Sequence, residues 1–346
     1  MSKNVYVGMS GGVDSSVTAA LLKEQGYNVT GVYMKNWSKD LPGFSCPWKE
    51  DFQDAKRVAV QLGIDFKMYD FETEYRQKVV DYMVAGYQAG ITPNPDIMCN
   101  QEVKFKLFLE AALEDGADMI ATGHYARIKD GHLLAGQDAN KDQSYFLYRV
   151  TEDALQRSLM PIGDMEKPEV RKLATKLGLA TADKKDSQGI CFVGKVGIKD
   201  FLLAELGEQA HGAIVDETGK VIGEHDGALF YTIGQRHGLD VGGGLPYYVV
   251  GKDMAKNEVY VTTDLQDERL WKRSLDLAST HWINGAPAAG TYQVRTRYRA
   301  PLVSCELSYD GDKTVLLLQE DVRAITPGQS AVLYDGELVL GGGIVL

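Results

Sequence analysis

A parallel-sheet α/β domain followed by two smaller, mainly β domains is the fold class that this sequence predicts, and three observations carry it. Strand-like and helical patterns alternate up to about residue 200. A Gly-Gly loop flanked by hydroxyl side chains joins the first strand to the first helix. From about residue 210 the texture changes to short strands punctuated by glycine. Alternation of strand and helix implies a parallel sheet covered on both faces, with ligands at the carboxyl ends of its strands.

Taken in order, the apolar run Val5-Tyr6-Val7-Gly8-Met9 reads as the first strand, and Val17, Ala20 and Leu21 begin a helical pattern that Gly26 stops. Further strand-like runs are Val29–Met34, Phe66–Phe71 and Met119–Gly123. Helical spacing of three and four runs from about Glu50 to Leu62, Glu74 to Ala89 and Val103 to Glu114. The second half carries turn signals at Asp216–Lys220, at Gly242-Gly243-Gly244 and at Tyr309–Asp312, which suit small barrels or sandwiches. The expected units are residues 1–205, an α/β nucleotide-binding domain of Rossmann type; residues 206–272, a central mainly β domain; and residues 273–346, a β-barrel. The segment Asp264–Trp271 reads as the connection between the last two.

Between first strand and first helix lies Ser10-Gly11-Gly12-Val13-Asp14-Ser15. Backbone N–H groups at a helix start lack partners, and the helix dipole favours anions there, so such a loop suits phosphate. Gly11 and Gly12 allow close approach of a ligand, Ser10 and Ser15 add hydroxyl donors, and Asp14 could hold a metal bridging phosphates. The loop lacks the Gly-Lys-Ser/Thr ending of the Walker pattern.

Composition and charge narrow the function classes. The net charge of −11 argues against indiscriminate nucleic-acid binding, although local patches set the field a ligand meets. One basic patch stands out: Arg295, Arg297 and Arg299 within Thr291–Arg299, which would share one face of a strand. No apolar run approaches the roughly 18 residues of a membrane span, and no signal peptide is expected, so the expected location is cytoplasmic. Four cysteines at wide spacing form neither a disulfide framework nor a zinc pattern. Cys99 follows Pro93 and Pro95 and precedes a helical run, which places it near a helix start where a thiolate is stabilised, with Asp96 close by as a base. Cys191 sits between Gly189 and Gly194, downstream of Lys184-Lys185. Cys305 falls on the apolar side of an alternating strand and reads as core. Cys46 lies in a Pro/Gly-rich loop and receives no role.

The Ser10–Ser15 loop, with Asn94–Asn100, Ala121–Tyr125, Lys141–Leu147, Asp186–Phe192, Thr232–Arg236, Gly244–Val249, Arg297–Arg299 and Pro327–Gln329, resembles the bacterial tRNA-specific 2-thiouridylases of the PP-loop ATP pyrophosphatase superfamily. The resemblance spans essentially the whole chain. One departure is His237, where lysine would be expected. The family implies replacement of the 2-oxygen of the wobble uridine by sulfur in the tRNAs for Lys, Glu and Gln, after ATP has adenylated that oxygen and released pyrophosphate. By the same resemblance, Gly8, Met9, Ser10, Gly11, Gly12, Val13, Asp14 and Ser15 would hold the phosphates of ATP with transient Mg2+, and Met34 and Gly123 would bound the adenosine. Cys191 would carry a persulfide received from a cysteine desulfurase or a sulfur-relay protein. Cys99 would complete transfer and leave a Cys99–Cys191 disulfide, with Asp96 as acid or base. Asn94, Pro95 and Asp96 would flank the target base. His124, Lys141, Asp142, Gln143, Arg297, Tyr298 and Gln329 would contact tRNA.

Two other readings fit parts of the sequence. Another PP-loop ligase would attack an adenylated carbonyl with nitrogen and need no paired cysteines. A non-catalytic nucleotide or RNA-binding module would bind ATP without releasing pyrophosphate.

Overall fold

The structure is a computed structural model that describes residues 2–41, 45–185, 197–242, 244 and 246–346. Strands β1 (Asn4–Gly8), β2 (Asn28–Lys35), β3 (Asp65–Asp70) and β4 (Met119–Ala121) belong to one sheet. Beyond a hairpin of β5 (Ala126–Lys129) and β6 (His132–Ala135), the short β7 (Ser158–Leu159) completes it. The order is β3-β2-β1-β4-β7 with every pairing parallel. Side chains of β1 alternate between two cores: Tyr6 packs on one face, Val5 and Val7 on the other. Burial on both faces is why β1 reads as a continuous apolar run.

Helix α1 (Val13–Glu24) follows β1, and α2 (Trp48–Leu62) connects β2 to β3. The helical stretch after β3 runs through Glu72–Tyr75, Arg76–Val80 and Asp81–Gln88. The one before β4 runs through Pro95–Met98, Cys99–Leu107 and Phe108–Glu114, its central segment wound as a π-helix. This second helix starts eight residues before the Val103 that periodicity suggested. Asn94 supplies the reason: its Oδ1 accepts from the N–H groups of Asp96 and Ile97 at 3.1 and 3.3 Å, and Pro95 occupies the first turn.

The second half is built from two sheets. Strands β8 (Gly212–Val215), β9 (Val221–His225), β10 (Tyr248–Asp253) and β11 (Glu258–Thr262) pair in the order β10-β11-β8-β9. Next come β12 (Trp271–Trp282), β13 (Gly290–Arg295), β14 (Val303–Asp310), β15 (Lys313–Arg323), β16 (Ser330–Asp335) and β17 (Leu338–Val345). Because β12 pairs with both β15 and β17, these six close into a barrel. Val303, Cys305 and Leu307 alternate inward along β14, so Cys305 is core, and burial raises its thiol pKa to about 11.

Two features were not legible as separate domains. The β5–β6 hairpin leaves the α/β unit and pairs with β17 of the barrel. One apolar core also runs through all three units: it joins Phe105 and Phe108 to Leu229 of the central domain and to Val332, Tyr334 and Val339 of the barrel. Helix Ile198–Leu206 inserts Phe201 and Leu202 into that same core.

A buried ion pair crosses the same boundary. The Asp142 carboxylate, 4% exposed, accepts from Arg295 at 2.9 Å and from the N–H groups of Gly136 and Ser144 at 3.0 Å. Removing one partner strands a charge in the interior, so Asp142→Ala is expected to lower unfolding free energy by about 3–5 kcal/mol. Asp142→Leu combined with Arg295→Met should recover part of that loss. Denaturant titration of the single and double variants measures it, and simple additivity would show that the pair is not coupled.

Candidate active site

The order β3-β2-β1-β4-β7 reverses chain direction on either side of β1, and a crevice opens above the carboxyl ends of β1 and β4. The Ser10–Ser15 loop sits there. Met9 and Val13 anchor it by burying their side chains in the core. Ser10 N–H donates to Ser15 Oγ at 3.2 Å, and no side chain caps α1 at Gly12, which leaves the helix start open to an anion. Gly11 adopts φ +74°, and a Cβ there would collide with the Asp51 carbonyl of α2. Gly123, just beyond β4, lies against the backbone of Asp14 and Ser15 so closely that any side chain would displace the loop.

A cleft of about 850 Å³ extends from this loop. One wall holds Gly8, Met9, Ser10, Gly12, Val13, Asp14, Ser15, Met34, Asp51 and Gly123. The opposite wall holds Asp96, Asn100, Lys104 and His124, and Lys141, Gln143, Phe146, Tyr298 and Arg299 also line the cleft. Phe146 and Tyr298 pack with ring centroids 4.4 Å apart and planes tilted by 45°, an aromatic platform contributed jointly by the α/β unit and the barrel. Gln143 is held by the Tyr125 backbone, whose N–H donates to its Oε1 at 3.0 Å.

The electrostatics differ from wall to wall. Asp14 accepts two hydrogen bonds from Lys167 Nζ, at 2.7 and 2.8 Å, and one from the Tyr125 hydroxyl at 2.8 Å. Lys167 is 7% exposed and stands in the first turn of helix Lys167–Lys176. It therefore brings to the loop the cation that the Walker pattern would have supplied locally. Across the cleft, burial raises the Asp96 carboxyl above its ordinary range, and the Lys104 charge offsets this only in part. Burial likewise drives His124 well below the usual histidine value, with Lys104 adding to the effect, so its ring is neutral at pH 7. His124 Nδ1 lies 2.8 Å from Thr122 Oγ1.

Other candidate residues stand outside the cleft lining. Asn94 and Pro95 shape the helix start that presents Asp96. Asp142 is turned inward onto Arg295. Arg297 lies beside Gln329, its Nε 3.3 Å from Gln329 Oε1, and its Nη2 donates to the Ala324 carbonyl. The expected arginine-bearing strand stops at Arg295, and the three arginines do not share a face. Arg299 adopts φ +61°, Pro301 follows, and Arg299 donates to the Asn140 carbonyl at 3.0 Å. A proline without an N–H and a left-handed residue together break the ladder there.

The cysteines divide similarly. Cys99 is buried and stands outside the cleft lining, five positions after the Asn94 cap and so beyond the first turn where the dipole acts strongly. Cys191 lies outside the described residues. Lys185 lines the cleft, and Lys184 is tied to Asp51 and Asp54 of α2 at 2.8 and 2.6 Å.

Family models match nearly the whole chain: a tRNA methyl transferase HUP domain over residues 3–195, a tRNA methyl transferase PRC-barrel domain over 199–263, and an aminomethyltransferase beta-barrel domain over 272–345. The tRNA-specific 2-thiouridylase MnmA of Neisseria meningitidis serogroup C is 51% identical over 351 residues, covering 99% of this chain and 95% of that protein. The enzyme of the same name from Streptococcus sanguinis is 48% identical over 353 residues, covering 99% and 94%. The chain belongs to the tRNA-specific 2-thiouridylase family.

Within this thiouridylase cleft, sequence reasoning missed Lys167, Asn100 and Lys104. Lys167 left a faint signal, since Glu166-Lys167-Pro168-Glu169 opens a helix with a cation where the dipole disfavours one. Cys46, to which no role was given, also lines the cleft, and burial raises its thiol pKa. No helix among the described residues is long and apolar enough to cross a membrane.

The raised Asp96 pKa has a signed consequence for stability. The folded chain holds that proton more tightly than the unfolded chain, so stability falls as pH rises through the raised pKa. Asp96→Asn is therefore expected to melt higher than the parent at neutral pH, with the gain vanishing as pH falls toward 3.8. Thermal melts across that range test it, and a pH-independent difference would contradict it.

Proposed function

We infer that this enzyme uses ATP to replace the 2-oxygen of the wobble uridine in the tRNAs for Lys, Glu and Gln by sulfur, as tRNA-uridine 2-sulfurtransferase. The observation that carries the reading is a single cleft with an open helix start suited to phosphate on one wall and, on the other, a half-buried carboxylate on the helical stretch that also bears a cysteine. The aromatic platform of Phe146 and Tyr298 lines the same cleft. Uracil's 2-oxygen is a poor leaving group, and adenylation makes it a good one.

In this reading the α1 start, Ser10 and Ser15 receive the phosphates, and magnesium arrives with the nucleotide. Asp14 and Lys167 set the charge balance around it. Met34 and Gly123 bound the adenosine. The uracil 2-oxygen attacks the α-phosphorus, pyrophosphate leaves, and Asp96 manages protons beside the base. The terminal sulfur of a Cys191 persulfide attacks C2 and expels AMP. The Cys99 sulfur then attacks Cys191 Sγ, the persulfide S–S bond breaks, C2=S remains, and a Cys99–Cys191 disulfide forms. Alternatively, Cys99 attacks first and releases hydrosulfide, which displaces AMP. Both routes need a dithiol to reduce the disulfide, as a reducing cytoplasm provides.

Reach supports the Cys191 role: it follows Lys185 at the cleft by six positions, a span of at most about 20 Å. A cysteine desulfurase or relay protein would load it. His124, Lys141, Gln143, Arg297, Tyr298 and Gln329 are assigned to the anticodon stem-loop, which rests on the barrel side of the cleft.

The test is mass analysis of nucleosides from undermodified Lys tRNA incubated with enzyme, MgATP, cysteine, a desulfurase and a reductant. ATP-dependent exchange of one oxygen for sulfur on the wobble uridine is expected. Cys191→Ser and Cys99→Ala should each abolish it while ATP binding persists. Full thiolation by either variant would remove the persulfide relay, and pyrophosphate release without thiolation would point to a different acceptor.

A further inference from the structure

Asn100 carries a polar group that the fold leaves unused. The residue is 3% exposed, and its Nδ2 donates to the Phe146 carbonyl at 3.2 Å. That carbonyl can only accept, so it fixes which end of the amide is nitrogen and which is oxygen. The oxygen, Oδ1, is buried and has no hydrogen-bond partner among the described residues. A stranded acceptor costs about 1–3 kcal/mol and calls for a reason. Asn100 lines the cleft, and the carbonyl that orients it belongs to Phe146, half of the aromatic platform.

Lys104 lies one turn further along the same helix, within the π-wound segment, and lines the same cleft. Among the described residues it forms no hydrogen bond or ion pair. Two neighbouring residues of the cleft lining thus carry a partnerless acceptor, held in orientation by the Phe146 carbonyl, and an ammonium donor without a hydrogen bond among the described residues. Uracil carries the complementary pair on adjacent positions, N3–H as donor and O4 as acceptor. Cytosine carries the reverse, a bare N3 and an N4 amino group.

We propose that Asn100 and Lys104 read the edge of the target pyrimidine, with Asn100 Oδ1 accepting N3–H and Lys104 Nζ donating to O4, so that uridine is selected over cytidine before adenylation. The proposal rests on the uridine-thiolating reading above and deepens it. It leaves the 2-oxygen free to face ATP. Cytidine would set acceptor against acceptor and donor against donor, leaving two groups unpaired in a dry site.

The experiment uses undermodified Lys tRNA carrying uridine, cytidine or 3-methyluridine at the wobble position, with pyrophosphate release and nucleoside mass as readouts. The parent enzyme is expected to act on cytidine and on 3-methyluridine roughly 10–100-fold more slowly than on uridine. Asn100→Ala removes the acceptor and makes room for the methyl group, so its uridine rate falls and its preference over 3-methyluridine collapses toward one. Lys104→Met narrows the preference over cytidine while retaining that over 3-methyluridine. ATP binding and melting temperature show whether each variant is folded. If Asn100→Ala fails to fold, the parent enzyme on 3-methyluridine and the Lys104→Met variant still decide. Equal parent rates on uridine and 3-methyluridine would overturn the proposal, as would a folded Asn100→Ala with its preference intact. A parent enzyme that thiolates no uridine would instead remove the underlying function.

Discussion

The site depends on one constraint, the contact between Gly123 and the backbone of Asp14 and Ser15 at the point where the sheet reverses. The chain leaving β4 meets the first turn of α1 there with no room for a side chain, and the start of α1 carries no side-chain cap. Gly11 repeats the constraint on the other side, where α2 comes within collision distance of any Cβ. The loop is thus clamped between a second strand end and a second helix. A clamped loop keeps its N–H groups aimed at an anion without reorganising when one arrives. The cleft, the Lys167–Asp14 pair and the opposite wall are arranged around that fixed anchor.

The opposite wall is fixed from further away. Thr92 donates its N–H to the Pro327 carbonyl of the barrel at 2.9 Å, and its hydroxyl meets that of Thr232 in the central domain at 3.1 Å. Asp96 and Cys99 therefore follow a segment tied to both later units. With the shared apolar core and the Asp142–Arg295 pair, these ties make the β units part of the framework that holds the cleft.

Local sequence carried the parts of this structure that depend on local physics. The β1-loop-α1 junction, the strand ends at Gly123 and His124, and the inward alternation of Cys305 follow from periodicity and turn chemistry. What local sequence could not carry were contacts between distant segments. Lys167 reaches Asp14 across more than 150 residues of chain, and Asp142 looks like a surface residue until Arg295 is folded against it. The arginine stripe failed for a local reason that was legible: Pro301 signalled that the ladder ended. The β5–β6 hairpin sits between strands of the first sheet and yet extends the barrel, a pairing that no spacing rule announces.

The joint origin of the aromatic platform bears on how the protein is made. Phe146 emerges from the ribosome long before Tyr298, and the core that both adjoin is completed only by Val332, Tyr334 and Val339. Between release of the phosphate loop with its helices and arrival of the last strands, translation runs for roughly 10–30 seconds. During that interval the nascent chain shows water an unfinished apolar face and a cleft without its outer rim. Chaperones and proteases meet this intermediate first, so a premature stop anywhere in the barrel should yield a chain recognised as unfinished, despite an intact nucleotide-binding motif.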